Sequence, residues 1–264
     1  MSRTLSSLCA VSLLLVPALT ACSYRSAPST GEVDTSTTTT APPAPLLAGF
    51  TIVLDAGHNG GNAAHPEIVD ELVDAVTADK PCDTTGTETD DGYAEHAFNF
   101  DVTERLAAEL RDAGATVVTT RDSDDGVGPC ITQRAAIGND AAADAAVSIH
   151  ADGGPADGRG FHVLEPVLID GRTEDIVEPS HRLAGSIADA YRTGTTIPAS
   201  DYIGTNGINP RDDMAGLNLS TVPKVMVECG NMRNATDAEI LSDADSRQII
   251  ADALAAGITA FLLD

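Results

Sequence analysis

Positive charge is scarce in this chain: 15 Lys and Arg stand against 40 Asp and Glu, for a net charge of -25 over 264 residues. A nucleic-acid-binding protein carries a basic footprint for phosphates, so that class is excluded. The acidity reads first as solubility in an extracellular, salty setting, and second as a means of tuning approach to a charged polymer. Long apolar runs are scarce as well. The one near the N-terminus, Leu8 to Val16 with Ser12 inside it, is too short and interrupted to span a membrane permanently. Internal repeats are missing, and no second domain boundary follows residue 48, so a single folded domain over 48–264 is expected, as a monomer.

The N-terminal segment has one Arg3, the apolar run and then small residues, which is the build of a secretory signal over residues 1–21. Leu19, Thr20, Ala21 and Cys22 resemble the lipobox of bacterial lipoproteins. The resemblance implies lipidation of Cys22 as the mature N-terminus and anchoring on the outer side of the cytoplasmic membrane; plain cleavage and secretion is the alternative. Residues 22–47 are rich in Ser, Thr and Pro with almost nothing to bury, and read as a disordered tether. Cysteine is sparse. Cys9 leaves with the signal and Cys22 is the lipid site, leaving Cys82, Cys130 and Cys229. Cys82 and Cys130 are both flanked by turn residues and form a candidate disulfide in an oxidising compartment. Cys229 reads as a small buried hydrophobe.

Strand-like and helical runs alternate through the rest. Strands are expected at Phe50 to Leu54, Thr116 to Thr120, Ala145 to Ile149, Gly160 to Ile169 and Val222 to Val227. Helices are expected at Glu95 to Ala113, Thr132 to Asn139, Pro179 to Arg192 and Ala244 to Leu263. The pattern predicts an α/β fold with a largely parallel sheet. The segment between Asn62 and Asp91 breaks the alternation; Pro66 to Val76 is expected as one short helix with Ile68, Leu72, Val73 and Val76 inward, and the remainder as an ordered, functional loop.

Three polar residues follow three strands: His58 after FTIVLD, His150 after AAVSI and Glu228 after VPKVMV. Ligands of open α/β sheets lie beyond the carboxyl ends of the strands, so these three are candidates for one site. Glu95 opens a helix and shares the face of Phe98, Val102 and Leu106, with Asn99 one turn on to hold its carboxylate. A buried carboxylate is costly unless paired or bound to a cation. His58, Glu95 and His150 together make the two-histidine, one-carboxylate pattern of a catalytic zinc site. Each has a duller reading: a loop histidine, a satisfied core histidine and a charge favoured at a helix N-terminus. His96 is the rival third ligand but points off the packed face, and His65, His162 and His181 have no comparable placing.

The stretches VLDAGHNGG (53–61), Glu95 with Asn99, TRD (120–122), QRAAIGN (133–139), SIHAD (148–152), GLN (216–218) and VECGNMRN (227–234) resemble the zinc-dependent N-acetylmuramoyl-L-alanine amidases. DDGYAEH, GRGFHV, YIG and NPRDDMAGLNL resemble the type found in mycobacteria and their relatives. The resemblance covers nearly all of the chain from Phe50 on. It implies a single-domain, twisted, mostly parallel six-stranded sheet flanked by helices, and hydrolysis of the amide joining the lactyl group of N-acetylmuramic acid to L-alanine in peptidoglycan or its fragments. Carried over, His58, Glu95 and His150 are ligands of one zinc ion and Glu228 is the general base. Arg211 is a candidate partner for a stem-peptide carboxylate, or else pairs with one of the chain's own acids. Asn218 and Asn231 are groove-lining candidates, whereas Arg121 and Arg134 are expected to tie strands to helices. No separate wall-binding module is read, which favours soluble fragments over intact wall. Two other functions stay open: a non-catalytic wall-binding lipoprotein of this fold, and a zinc peptidase or deacetylase acting on another wall bond.

Overall fold

The computed structural model describes residues 44–264. The signal at 1–21, Cys22 and most of the tether lie outside the described residues. Strand β1 (Thr51–Ala56) leads through a glycine-rich turn to a short helix α1 (Pro66–Val69) and a small hairpin, β2 (Leu72–Asp74) and β3 (Asp79–Pro81). Then come α2 (Glu95–Asp112), β4 (Thr116–Thr119), α3 (Ile131–Asp140), β5 (Ala145–Asp152), β6 (His162–Pro166) and α4 (Val177–Gly194). The chain ends with β7 (Ile208–Arg211), α5 (Ala215–Asn218), β8 (Lys224–Asn231), α6 (Ala235–Ser242) and α7 (Ala244–Leu263).

Six strands form one sheet in the order β4-β1-β5-β8-β6-β7. The first four are mutually parallel, β6 runs antiparallel to β8, and β7 is parallel to β6. Parallel strands are covered on both faces and therefore read as continuous apolar runs, as β1 does from Ile52 to Leu54. On one face, Ile52 and Leu54 meet Phe98, Val102 and Leu106 of α2, Leu183 and Ile187 of α4, and Ile250, Leu254 and Ile258 of α7. Val53 faces the other way, onto Ala146, Val222 and the α3 side chain of Ile137. Each fully buried aliphatic side chain contributes about 1.5–3 kcal/mol. Helix α7 approaches α4 closely enough that a Cβ on Gly257 would stand 2.6 Å from the Ile187 Cα, so only glycine fits there.

Three expectations change. The helix expected over 66–76 stops at Val69; Leu72 pairs with Pro81 and Val73 with Lys80 in the hairpin. Ile68 and Leu72 point outward, 41% and 64% exposed, and Val76 takes φ +77° at the turn, where its N–H donates to the Asp74 carboxylate at 2.7 Å. The apolar residues of this stretch fit helical spacing, but they have no sheet beneath them to cover. The tether also ends earlier than residue 47: Leu47 is fully buried, and its N–H donates to the Ala113 carbonyl at 2.8 Å. Finally, β7, α5 and α6 were not expected from the pattern, and β6 is shorter than the run 160–169, ending at Pro166.

Candidate active site

Strands β5 and β8 lie side by side with His150 and Glu228 as Cα partners, and β6 brings His162 to the opposite flank of Glu228. Neighbours in register share a face of the sheet. His150 and Glu228 thus lie within their strands, since β5 continues to Asp152 and β8 to Asn231, rather than just beyond them. His58 follows β1 in the turn with φ +57°, a conformation uncommon outside glycine. A Cβ on its neighbour Gly57 would overlap the His150 ring. With glycine there, the two imidazoles stand edge to face at 4.9 Å between ring centres. Glu95, in the first turn of α2, completes the cluster.

One carboxylate oxygen gathers both rings: Glu95 Oε1 is 3.2 Å from His58 Nε2 and 2.9 Å from His150 Nδ1. That carboxylate is fixed from several sides. The Thr87 N–H donates to Oε2 at 2.9 Å, and Asn99 Nδ2 and the Ala151 N–H each donate to Oε1 at 3.3 Å. A Cβ on Gly86, at φ +73°, would come within 2.7 Å of Glu95 Oε2. Ligand-type atoms of His58, Glu95 and His150 all lie within 4.8 Å of one another. Their lone pairs converge on one small volume, which demands positive charge. This donor set fits a divalent metal ion, two imidazoles and one carboxylate leaving a coordination position free for water or substrate.

The electrostatics follow from burial and neighbours. Burial alone would lower the His58 pKa, but the carboxylates of Glu95 and Asp83 overcome it and raise the value to about 10. Burial would raise the Glu95 pKa, yet the two imidazoles hold it well below the usual carboxylate range. Glu228 goes the other way, because burial and the negative charges of Glu95 and Asp152 push it well above its ordinary value. Its Oε2 is buried without a hydrogen-bond partner. A carboxyl with raised proton affinity beside a cation-seeking cluster is chemically able to accept a proton there. A cavity of about 210 Å³ opens against His58 and His150, between Lys80, Pro81 and Thr84 on the hairpin side and Met214 to Gly216 on the other.

Other site candidates are placed differently. Arg211 lends its fork to Asp213, with Nε to Oδ1 at 2.7 Å and Nη2 to Oδ2 at 2.8 Å, so its carboxylate-binding face is already used. Asn218 is buried and does not line a groove; its Nδ2 donates to the carbonyls of Ala75 and Asp212 at 2.9 and 2.7 Å, tying the hairpin down. Asn231 is likewise internal, donating to Pro155 O and Gly158 O at 2.8 Å and accepting from the Arg233 N–H. His96 pairs with Asp124 at 2.7 Å, away from the cluster. Arg121 reaches the carbonyls of Ala56, Gly57 and His96, and Arg134 those of Ala56, His58 and Pro129, so both knit the turn after β1 to its surroundings. Asp83 escaped the sequence reading although it touches His58; its only signal is its place after Cys82, which is bonded to Cys130. Cys229 is free and buried.

A family model described as N-acetylmuramoyl-L-alanine amidase matches residues 52–260. N-acetylmuramoyl-L-alanine amidase Rv3717 of Mycobacterium tuberculosis is 39% identical over 218 residues, 82% of this chain and 88% of that protein. The crystal structure of the amidase Ami1 from Mycobacterium smegmatis superposes with a TM-score of 0.77 at 43% identity, covering 82% of this chain and 98% of that one. Ami1 from Mycobacterium abscessus, in its apo form, gives a TM-score of 0.77 at 41% identity, covering 82% and 100%. A match that runs from β1 into α7 takes in the sheet, the histidine cluster and Glu228 alike, and the chain belongs to the N-acetylmuramoyl-L-alanine amidase family.

Proposed function

We propose that this chain hydrolyses the amide between the lactyl group of N-acetylmuramic acid and L-alanine in peptidoglycan or its fragments, with one zinc ion on His58, Glu95 and His150 and with Glu228 as general base. The observation that carries the reading is the Glu228 carboxyl, its Oε2 buried without a hydrogen-bond partner, one strand from His150 and beside the cluster that gathers on Glu95. A zinc ion there supplies Lewis acidity, bringing the pKa of water toward about 7 and polarising the scissile carbonyl. Glu228 takes a proton from the attacking water and delivers it to the departing alanine nitrogen, so that a carboxylic acid on the sugar and a free amine on the peptide result. Glu95, fixed by Thr87, Asn99 and Ala151, keeps the two imidazoles aimed at one point.

The substrate lies outside the cytoplasm, which agrees with a signal over 1–21, a lipid on Cys22 and a tether that lets the domain stand off from the membrane. The test uses a defined muramyl peptide read by mass spectrometry. Wild type releases the sugar and a peptide beginning with alanine, whereas Glu228→Gln, still loaded with zinc, is slower by about 10² to 10⁴. Full activity in that variant rejects Glu228 as the base; released acetate, or a cut within the peptide, rejects the bond assignment.

A further inference from the structure

We infer that Asp83 is a positioning residue for the metal centre, holding the His58 imidazole in the tautomer and direction that ligation requires. This rests on the zinc reading of His58, Glu95 and His150 given above. His58 Nδ1 lies 3.2 Å from Asp83 Oδ1, 3.0 Å from the Thr84 carbonyl and 3.3 Å from the Thr84 hydroxyl, of which only the hydroxyl could donate and it is the most distant. A carbonyl only accepts, and an ionised carboxylate only accepts, so Nδ1 carries the proton and donates it. Nε2, the nitrogen that faces Glu95 Oε1 at 3.2 Å, is then the one that gives up its proton when a cation binds. A ligating histidine is commonly fixed through its second nitrogen in this way, and loss of such a partner typically weakens metal binding about 10- to 100-fold.

Asp83 is itself built in. It is 5% exposed, its Oδ2 pairs with Arg134 Nη2 at 3.1 Å, and its Oδ1 accepts the Thr84 N–H at 2.8 Å. The preceding Cys82 is bonded to Cys130, the residue that caps α3, and Arg134 is on the first turns of that helix. The disulfide and the Arg134 ion pair thus both tie Asp83 to α3, and Asn59 Nδ2 adds a contact to Oδ2 at 3.4 Å. The Arg134 Nη2 that grips Asp83 also donates to the His58 carbonyl at 3.2 Å, so one guanidinium restrains the main chain of His58 and the carboxylate that aims its ring. The turn around His58 is glycine-rich and offers few side chains to pack on, which leaves the ring's direction to these polar contacts.

The experiment measures zinc affinity of the purified protein by competition with a chromophoric chelator, beside heat denaturation of the same proteins freed of metal. Wild type binds one zinc and His58→Ala loses it. Asp83→Ala binds about 10- to 100-fold more weakly while its metal-free form still unfolds cooperatively, and Asp83→Asn, which keeps an oxygen acceptor, falls between the two. Wild-type affinity in Asp83→Ala overturns the inference. Failure of wild type to bind zinc, or undiminished binding by His58→Ala, overturns the zinc reading itself and this inference with it. A second measurement needs no variant: nitrogen-15 spectra of histidine-labelled, zinc-loaded wild type show His58 protonated at Nδ1 and metal-shifted at Nε2. Ligation through Nδ1 overturns the inference.

Discussion

His162 flanks Glu228 on β6, buried and with its Nδ1 unpartnered. Burial lowers its pKa to about 4, Asp152 opposing the shift and Arg211 adding to it. The unfolded chain, with an ordinary histidine value near 6.5, binds the proton more readily, so the stability contributed by neutral His162 is complete above about pH 6.5 and is lost as pH falls toward 4. The urea midpoint of wild type is expected to drop more between pH 7 and 4.5 than that of His162→Gln; equal drops in the two proteins would contradict this. Deeper in the same face, Asp55 follows a contrary rule. Burial would raise its carboxyl, but Arg134 and Lys224 hold it well below the usual range, so it remains a charged strut under the turn that carries His58. His58, His150 and Glu228 stand out in the sequence because polar residues of metal-ligand and base types follow apolar strand runs, and Glu95 because it opens a helix on its packed face. Asp83 was hidden among 40 acidic residues, and its meaning depends on the path of a loop. For Arg211, Asn218 and Asn231 the motif marked the neighbourhood, but their donors are spent on Asp213 and on backbone carbonyls, which residue type alone does not disclose.

Among the elements, the hairpin segment is held by the Cys82–Cys130 bridge, whose ends are 48 residues apart in sequence, as well as by Asn218 and by Lys80 against Asp213. In the chain-entropy model such a loop contributes about 4 kcal/mol. The paired change Cys82→Ser with Cys130→Ser is expected to lower unfolding free energy by about that amount in urea titrations, and an unchanged midpoint would show that packing alone holds the segment. Elements with strong signals were readable: α2 repeats its apolar residues every four positions, and α7 opens with the Asp243 side chain accepting the Ser246 N–H at 2.8 Å. The β7 stretch, INPR, places a proline on an edge strand, where the missing N–H is tolerated but the composition reads as loop. The hairpin resembled a helix because apolar spacing is ambiguous over so few residues.

For the molecule as a whole, the proposed signal and lipid anchor are tested in cells. Cys22→Ala is expected to shift the protein from the membrane fraction to the medium, or to leave the signal uncleaved, and to abolish incorporation of a labelled fatty acid; undiminished labelling would refute the lipid anchor. The fold class was legible because strands and helices alternate over most of the domain, whereas the reversal of β6 and β7 was not, since strand direction depends on connections with no local sequence signature. That topology has a consequence for safety. The cluster draws on β1's turn, the start of α2, β5 and β8, so its parts are scattered from residue 58 to residue 228. No segment shorter than that span contains the whole set. A hydrolase assembled this way is latent by construction until β8, which carries Glu228, has joined the sheet.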